Sequence, residues 1–469
     1  MNLRKVRAAL RCKESFDIIE RHLEVARRDM TFFFVDGFVK DGEVQRIMQT
    51  LLSLDNAQSA ADVEKKLPYV EVDVCRDIGD AVTAVLSGQT LILFEGFCGE
   101  ALLVDARTYP ARSTSEPDND RVMQGARDGF VETLVMNTAL IRRRIRDPRL
   151  TMEHFNMGGT SSTDVVMCYM KGVAKEGTLE KLRKKLLEIE PDSLSLGYRS
   201  LAESLVKKGW LNPFPKVRVT ERPDTAAAHA VEGSILLICD TVPQVMILPT
   251  SVFDYLQQTD DYYFPPLTGS YLRIVRTVIL LLSVVVTPLW YLYLEYADRL
   301  PDALRFLIPD DPGALPIFLQ LLLVEVAIDG LKIASMNTPD MLSNSLSVVG
   351  ALILGDFAVA VGWLCPDVIL YMAFVAIANF AQQNVELGYA FKFIRVLTLV
   401  FVFGFGVWGL LLGLLVFVFA VATNTTLTGE RNYLYPLIPF NFRALVRLLV
   451  RTKRTGENAE KMNERKTRG

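Results

Sequence analysis

The chain has 469 residues, half of them hydrophobic, and its 51 Lys and Arg nearly balance 54 Asp and Glu, for a net charge of −3. That balance excludes the basic footprint of a nucleic-acid binder, and the length suits roughly two to four domains. Six cysteines, Cys12, Cys75, Cys98, Cys168, Cys239 and Cys365, are scattered without CxxC or CxH spacing, which argues for a reducing compartment and against a zinc site or disulfide framework.

The apolar residues are unevenly spread. Residues 1–250 read as a soluble α/β region rich in Arg, Asp and Glu, while residues 270–423 hold almost every long apolar run. The opening MNLRKVRAALRCKESFDIIERH is charged throughout and has no apolar h-region, so the soluble half is expected in the cytoplasm. Residues 14–30 read as an amphipathic helix and 31–39 as a strand; Asp41–Leu54 follows as a helix with Val44, Ile47, Met48 and Leu51 on one face. After another short helix, residues 89–106 read as two strands joined at Glu95–Gly99. The polar loop ARSTSEPDNDRV, with Pro117, separates an α/β subdomain over 1–115 from a second over 116–255. In the second, Phe130–Ile145 is predicted helical, and Arg142, Arg143 and Arg144 in its last turn suit the helix dipole. They form either a basic docking patch for anionic lipid or an acidic partner, or an ordinary solvated helix end. A strand over 164–173, a helix over Thr178–Leu187 and two strands within 234–249 complete the unit.

Residues 256–273 contain TDDYYFPPLTGSYLR, an elbow leading into the membrane, with aromatics at interface level and Arg273 and Arg276 marking the cytoplasmic side. The region 274–423 reads as an all-α membrane domain. Ile274–Leu294 is a span kinked by Pro288, and the acidic loop Glu295–Leu315 suits the outer side. Pro316–Met336 carries Glu325, Asp329 and Lys332 on one face, so it either spans with that face turned inward or lies in the interface as an amphipathic helix.

Leu342–Trp363 is long enough, at ~1.5 Å per residue, to cross a hydrocarbon core of ~30 Å. On a helix Ser343, Ser347, Ala351, Gly355, Ala358 and Gly362 form a stripe of small side chains that lets another helix approach closely. Ser345, Val349, Ile353, Asp356 and Ala360 fall on a different face. An ionised carboxylate at membrane depth is costly without water or a partner, so that face is expected to line a pore or polar interface. Asp367–Gln383 is another span, and Asn379, Gln382 and Gln383 at its end offer either a second polar path or interhelical hydrogen bonds. Phe391–Thr423 is too long for one perpendicular crossing, and Gly404, Gly406, Gly409 and Gly413 supply places to break it. A hairpin there gives six crossings, which keeps Lys392 and Arg395 inside; one tilted helix gives four if Pro316–Met336 does not span. The basic tail over 424–469 belongs to the cytoplasm with the N-terminus, so the number of crossings is even.

No catalytic constellation accompanies these spans. His22, His154 and His229 lie far apart, and MGGTSSTD precedes a strand and lacks GxxxxGK[ST]. No cofactor, metal or enzymatic activity is expected. The pattern instead describes copies that assemble in a bilayer by the small-residue stripe and turn the Asp356 face to water.

Several motifs together resemble the spore germinant receptor A-subunit family, the GerA family: TDDYYFPPLTGSYLR, AIDGLKIASMNTPDMLSNSLSVVGALILGDFAV, ILYMAFVAIANF, ELGYAFKFIR and YLYPLIPFN. Val348–Val359 is similar to the family's VxGALxxGxxAV pattern, and GARDGFVETLVMNTALIRRRI to its RGPxxGFxExxxxNxxLIRxRI stretch, with Gln124 and Ala126 replacing the family's arginine and proline. The resemblance implies a protein of the inner membrane of bacterial endospores, with a two-part cytoplasmic α/β region, that acts in germination. It further implies a homo-oligomeric ring, of five subunits, conducting monovalent cations. Other germination membrane proteins are the implied partners, and some members are linked to dipicolinic acid release. A non-conducting scaffold that docks such proteins is the alternative.

Overall fold

The computed structural model describes residues 1–25, 28–54, 59–97, 99–108, 120, 122–189, 193–206, 212–299, 301–336, 357–382, 384–429 and 433–450. The first half holds two five-stranded antiparallel sheets. One contains β1 (Ile18–Val25), β2 (Arg28–Val35), β3 (Val72–Cys75), β4 (Thr90–Phe94) and β5 (Ala101–Val104), in the spatial order β1-β2-β4-β5-β3. The other contains β6 (Leu150–Met157), β7 (Thr163–Met170), β8 (Arg218–Thr220), β9 (Ile235–Cys239) and β10 (Val245–Leu248), in the order β6-β7-β9-β10-β8. The two orders are the same.

The helices repeat as well. In the first unit α1 (Leu3–Leu10) and α4 (Ile78–Leu86) pack on one face of the sheet, and α2 (Asp41–Leu52) and α3 (Ala60–Lys66) on the other. In the second, α5 (Leu134–Arg144) and α8 (Pro223–Val231) take the first position, and α6 (Glu176–Glu188) and α7 (Tyr198–Leu205) the second. Each unit is thus a three-layer α/β/α sandwich with the element order αββααβαββ. Because helices cover both faces, central strands have no solvent side: every residue of Ile235–Cys239 is buried, giving an unbroken apolar run in place of alternation.

One expected helix is absent. Residues 14–30 contain β1 and the start of β2, paired antiparallel from Ile18 opposite Val35 to Val25 opposite Arg28. The charges of IIERHLEV fit a helical period, but β1 is an edge strand with one neighbour, and that pairing overrides the local pattern. Likewise α5 begins only at Leu134; Phe130 N instead donates to Glu221 O at 2.8 Å.

After α9 (Asp260–Tyr263) the chain becomes helical. α10 (Pro266–Glu295) has Pro266 at its first position, where a missing N–H costs nothing, so the two prolines open the helix that follows. Then come α11 (Ile317–Met336), a single turn α12 (Ala358–Ala360), α13 (Pro366–Phe380), α14 (Val385–Phe405), α15 (Val407–Thr423) and α16 (Phe442–Leu449). α10 and α14 are each long and apolar enough to cross a membrane.

α14 and α15 form the expected hairpin. Gly406, at φ 56° and ψ −129°, makes the break in a conformation that side chains disfavour. Gly409 and Gly413 serve close approach: a Cβ on Gly409 would meet Phe401 O at 2.0 Å, and one on Gly413 would meet Thr398 Oγ1 at 2.4 Å. Gly404 meets nothing within 4 Å.

Candidate functional site

The polar centre of the helical half lies between α11 and α14. Arg395 donates through Nε to Glu325 Oε1 at 2.7 Å and through Nη1 to the Ser283 carbonyl of α10 at 3.3 Å. Lys392 donates to the Glu325 carbonyl at 3.1 Å, lies 3.3 Å from Glu325 Oε2, and is paired with Asp329. Arg395, Glu325 and Lys392 are 1, 5 and 7 % exposed, so these charges are compensated by one another and not by solvent. Glu325 and Arg395 lie about 12 and 15 Å from the first residues of their helices, near mid-length in both. Two carboxylates against two cations leave the group neutral, the arrangement that makes charge tolerable in an apolar bundle.

This geometry settles the orientation of α11. Glu325 and Asp329 face α14, and Lys332 Nζ sits 4.8 Å from the centre of the Tyr389 ring on the same helix. Within the chain this charged face is turned toward α14. The cue for the partners was Lys392 and Arg395, read from sequence only as markers of the cytoplasmic side.

A second ionic group sits at the base of α10. Asp261 is fully buried and accepts from Arg273 Nε at 3.2 Å and from Arg276 Nη1 and Nη2 at 3.1 Å each. The Arg276 guanidinium also holds the Leu256 carbonyl, at 3.0 Å, and Arg273 holds that of Leu448, at 2.8 Å. The elbow is fastened to the α/β half through Tyr263, whose hydroxyl donates to Asp224 at 2.7 Å. Burial disfavours the Asp224 carboxylate, but hydrogen bonds from Arg222 and Tyr263 outweigh it and hold the group below the usual aspartate range.

The same end of the bundle meets the second sandwich elsewhere. Asn212 Nδ2 donates to Ala420 O at 2.7 Å, Tyr433 Oη to Pro215 O at 2.8 Å, and Lys185 Nζ to Leu427 O at 2.8 Å. Arg199 of α7 reaches Glu386 of α14 at 2.6 Å. The opposite end is closed by Ala314 N on Gly362 O, at 2.8 Å, and by Gln320 Oε1 accepting from Cys365 N at 2.8 Å.

Ser345, Val349, Ile353 and Asp356, with Ser343, Ser347, Ala351, Gly355 and Gln383, lie outside the described residues. Ala358 and Ala360 belong to the single turn α12, and Ala360 is exposed. Gly362 departs from its expected place on a helical stripe: at φ 77° it ends the turn, and its carbonyl serves the closure with Ala314. Near the end of α13 the Oδ1 of Asn379, and just beyond the helix both amide atoms of Gln382, are buried without a hydrogen-bond partner among the described residues. The three arginines of α5 do not share one exposed patch. Arg142 is fully buried and forks onto Asp17, with Nε to Oδ2 at 2.7 Å and Nη2 to Oδ1 at 3.0 Å. Arg144 pairs with Asp128 at 2.6 Å, and Arg143 alone is exposed.

A two-unit α/β head joined to apolar helices with a paired ionic centre defines a membrane-associated protein, and among the described residues no group of three or more His, Cys, Asp and Glu is placed to hold a metal ion. Comparison with known families makes this specific: the family described as Bacillus/Clostridium GerA spore germination protein matches residues 7–464. The chain belongs to the GerA family and is a spore germination protein. It is 36 % identical to stage V sporulation protein AF of Bacillus subtilis (strain 168), over 94 % of this chain and 90 % of that protein. It is 28 % identical to spore germination protein KA of the same organism, over 93 % and 81 %. The crystal structure of the N-terminal domain of the A subunit of the Bacillus megaterium spore germinant receptor GerK3 aligns with a TM-score of 0.41 and 26 % identity, covering 53 % of this chain and 93 % of that one.

Proposed function

We propose that this chain is the subunit of a homo-oligomeric cation channel in the inner membrane of the endospore, with both termini in the cytoplasm. It acts beside other germination membrane proteins and the machinery that releases dipicolinic acid. The observation that carries this reading is the ionic centre: Glu325, Asp329, Lys392 and Arg395 near mid-length between apolar helices. Ionisable groups at membrane depth are costly, and a bundle that only anchors a scaffold has no use for them. The Asn379 Oδ1 and the Gln382 amide, without partners among the described residues, supply further polar groups for a water path. With α11 spanning and α14 and α15 paired, six crossings keep both ends on the side of the α/β half. The path itself is assigned to the face bearing Ser345, Val349, Ile353, Asp356 and Ala360, and contact between subunits to the small-residue stripe.

Purified protein in potassium-loaded liposomes tests this. The wild type is expected to show a low basal cation flux, and Val349→Ala or Ile353→Ala a flux raised several-fold, while Asp356→Asn lowers cation over anion preference. No current from inserted wild-type or variant protein, at any applied voltage, would overturn the channel reading.

A further inference from the structure

Among the described residues outside the long helices, α16 and the turn before it carry a run of exposed apolar side chains. Leu448 of α16 is 8 % exposed and lies against the base of α10, where its carbonyl accepts from Arg273. The opposite face carries Phe442, Val446 and Val450, four residues apart and 65, 39 and 44 % exposed. Phe440 extends this row at 69 %. The row is not isolated: Tyr271 and Ile274, flanking Arg273 on α10, are also exposed and begin the apolar stripe that continues up that helix through Val278 and Leu281.

Charge follows the same outline. From Arg431 to Thr455 the sequence has six basic residues and no Asp or Glu. Beneath α16, Asp261 faces both Arg273 and Arg276, one carboxylate for two guanidiniums, and Arg273 Nη2 has no acceptor among the described residues. A helix that is apolar outward, basic along its length and continuous with a membrane helix has the composition of an in-plane anchor.

We infer that α16 lies flat in the cytoplasmic leaflet and docks on anionic phospholipid, holding the base of α10 at the headgroup level. This rests on the membrane placement proposed above. A second copy of the chain is the poorer occupant, because its own 431–455 segment is equally basic and without Asp or Glu, so it brings no counter-charge.

The test is hydrogen exchange of the full-length protein in nanodiscs of phosphatidylcholine alone or mixed with phosphatidylglycerol. Amides of 442–450 should exchange roughly tenfold more slowly in the anionic discs, and high salt should erase the difference. Arg443→Gln with Arg447→Gln should remove the lipid preference, and Val446→Asp the protection in both discs; position 446 is solvent-facing, so thermal unfolding should be unchanged. Equal exchange in the two discs and in detergent overturns the inference. So does protection that rises with protein concentration in detergent, which assigns the face to a second copy. Amides of 277–290 in α10 should stay protected in both discs; their loss would instead defeat the membrane placement itself.

Discussion

At the scale of single residues, Arg142 shows how a side chain that reads as surface charge becomes structural. It is the first of three successive arginines at a helix end, and only the fold places it at the seam of the two sandwiches, opposite Asp17 and within 3.1 Å of Ser15 Oγ. Removing one partner of a buried pair leaves the other charge uncompensated, at a cost of about 3–5 kcal/mol. Asp17→Ala should therefore lower the thermal midpoint by several degrees, whereas Arg143→Ala, at the exposed neighbour, should leave it in place. Asp224 adds a dependence on pH. Its pKa is lower folded than unfolded, so its stabilisation is present above the ordinary aspartate range and is lost as pH falls through the depressed value. Asp224→Asn should weaken the protein near neutrality and flatten the acid limb of its stability curve; an unchanged limb would deny the carboxylate this role.

At the scale of elements, the packed glycines of α15 carry the sharpest expectation. A side chain at Gly413 has no room beside Thr398, whereas Gly404 is open. Gly413→Val should therefore separate α14 from α15 and lower the yield of folded protein, while Gly404→Val should be tolerated in the same expression and melting assays. That the run Phe391–Thr423 could break at one of four glycines was legible from its length, but that Gly406 makes the break was not, since Gly409 and Gly413 serve close approach instead. Strands β4, β5, β9 and β10 were legible as apolar runs bounded by turns. β1 was not, since its identity comes from pairing with β2 and not from its own pattern. The inward face of α11 was half legible: Glu325, Asp329 and Lys332 share a face by spacing, but only packing against Lys392 and Arg395 decides which way it points.

At the scale of the whole molecule, the repeat of one αββααβαββ unit escaped the sequence because the paired sandwiches share patterning and order but no evident residue motif. Among the described residues, the second unit is bonded to the helices in several places. Its segment bearing Asn212 and Pro215 is hydrogen-bonded to the end of α15 and to Tyr433, which ties the α/β head to the bundle. Tyr433 is 1 % exposed, and losing its hydroxyl leaves the Pro215 carbonyl without that donor. Each such bond is worth about 0.5–1.5 kcal/mol net. The double variant Asn212→Ala with Tyr433→Phe should therefore weaken the junction by about 1–3 kcal/mol. Calorimetry should then show the α/β half melting apart from the helices, where the wild type unfolds with the two coupled. If the bundle is a channel, the same variant should keep its unitary conductance and change how often it opens, because the altered bonds lie at the end of the helices and not at their ionic centre. An unchanged opening frequency together with an unchanged melting profile would show that these contacts transmit nothing between head and bundle.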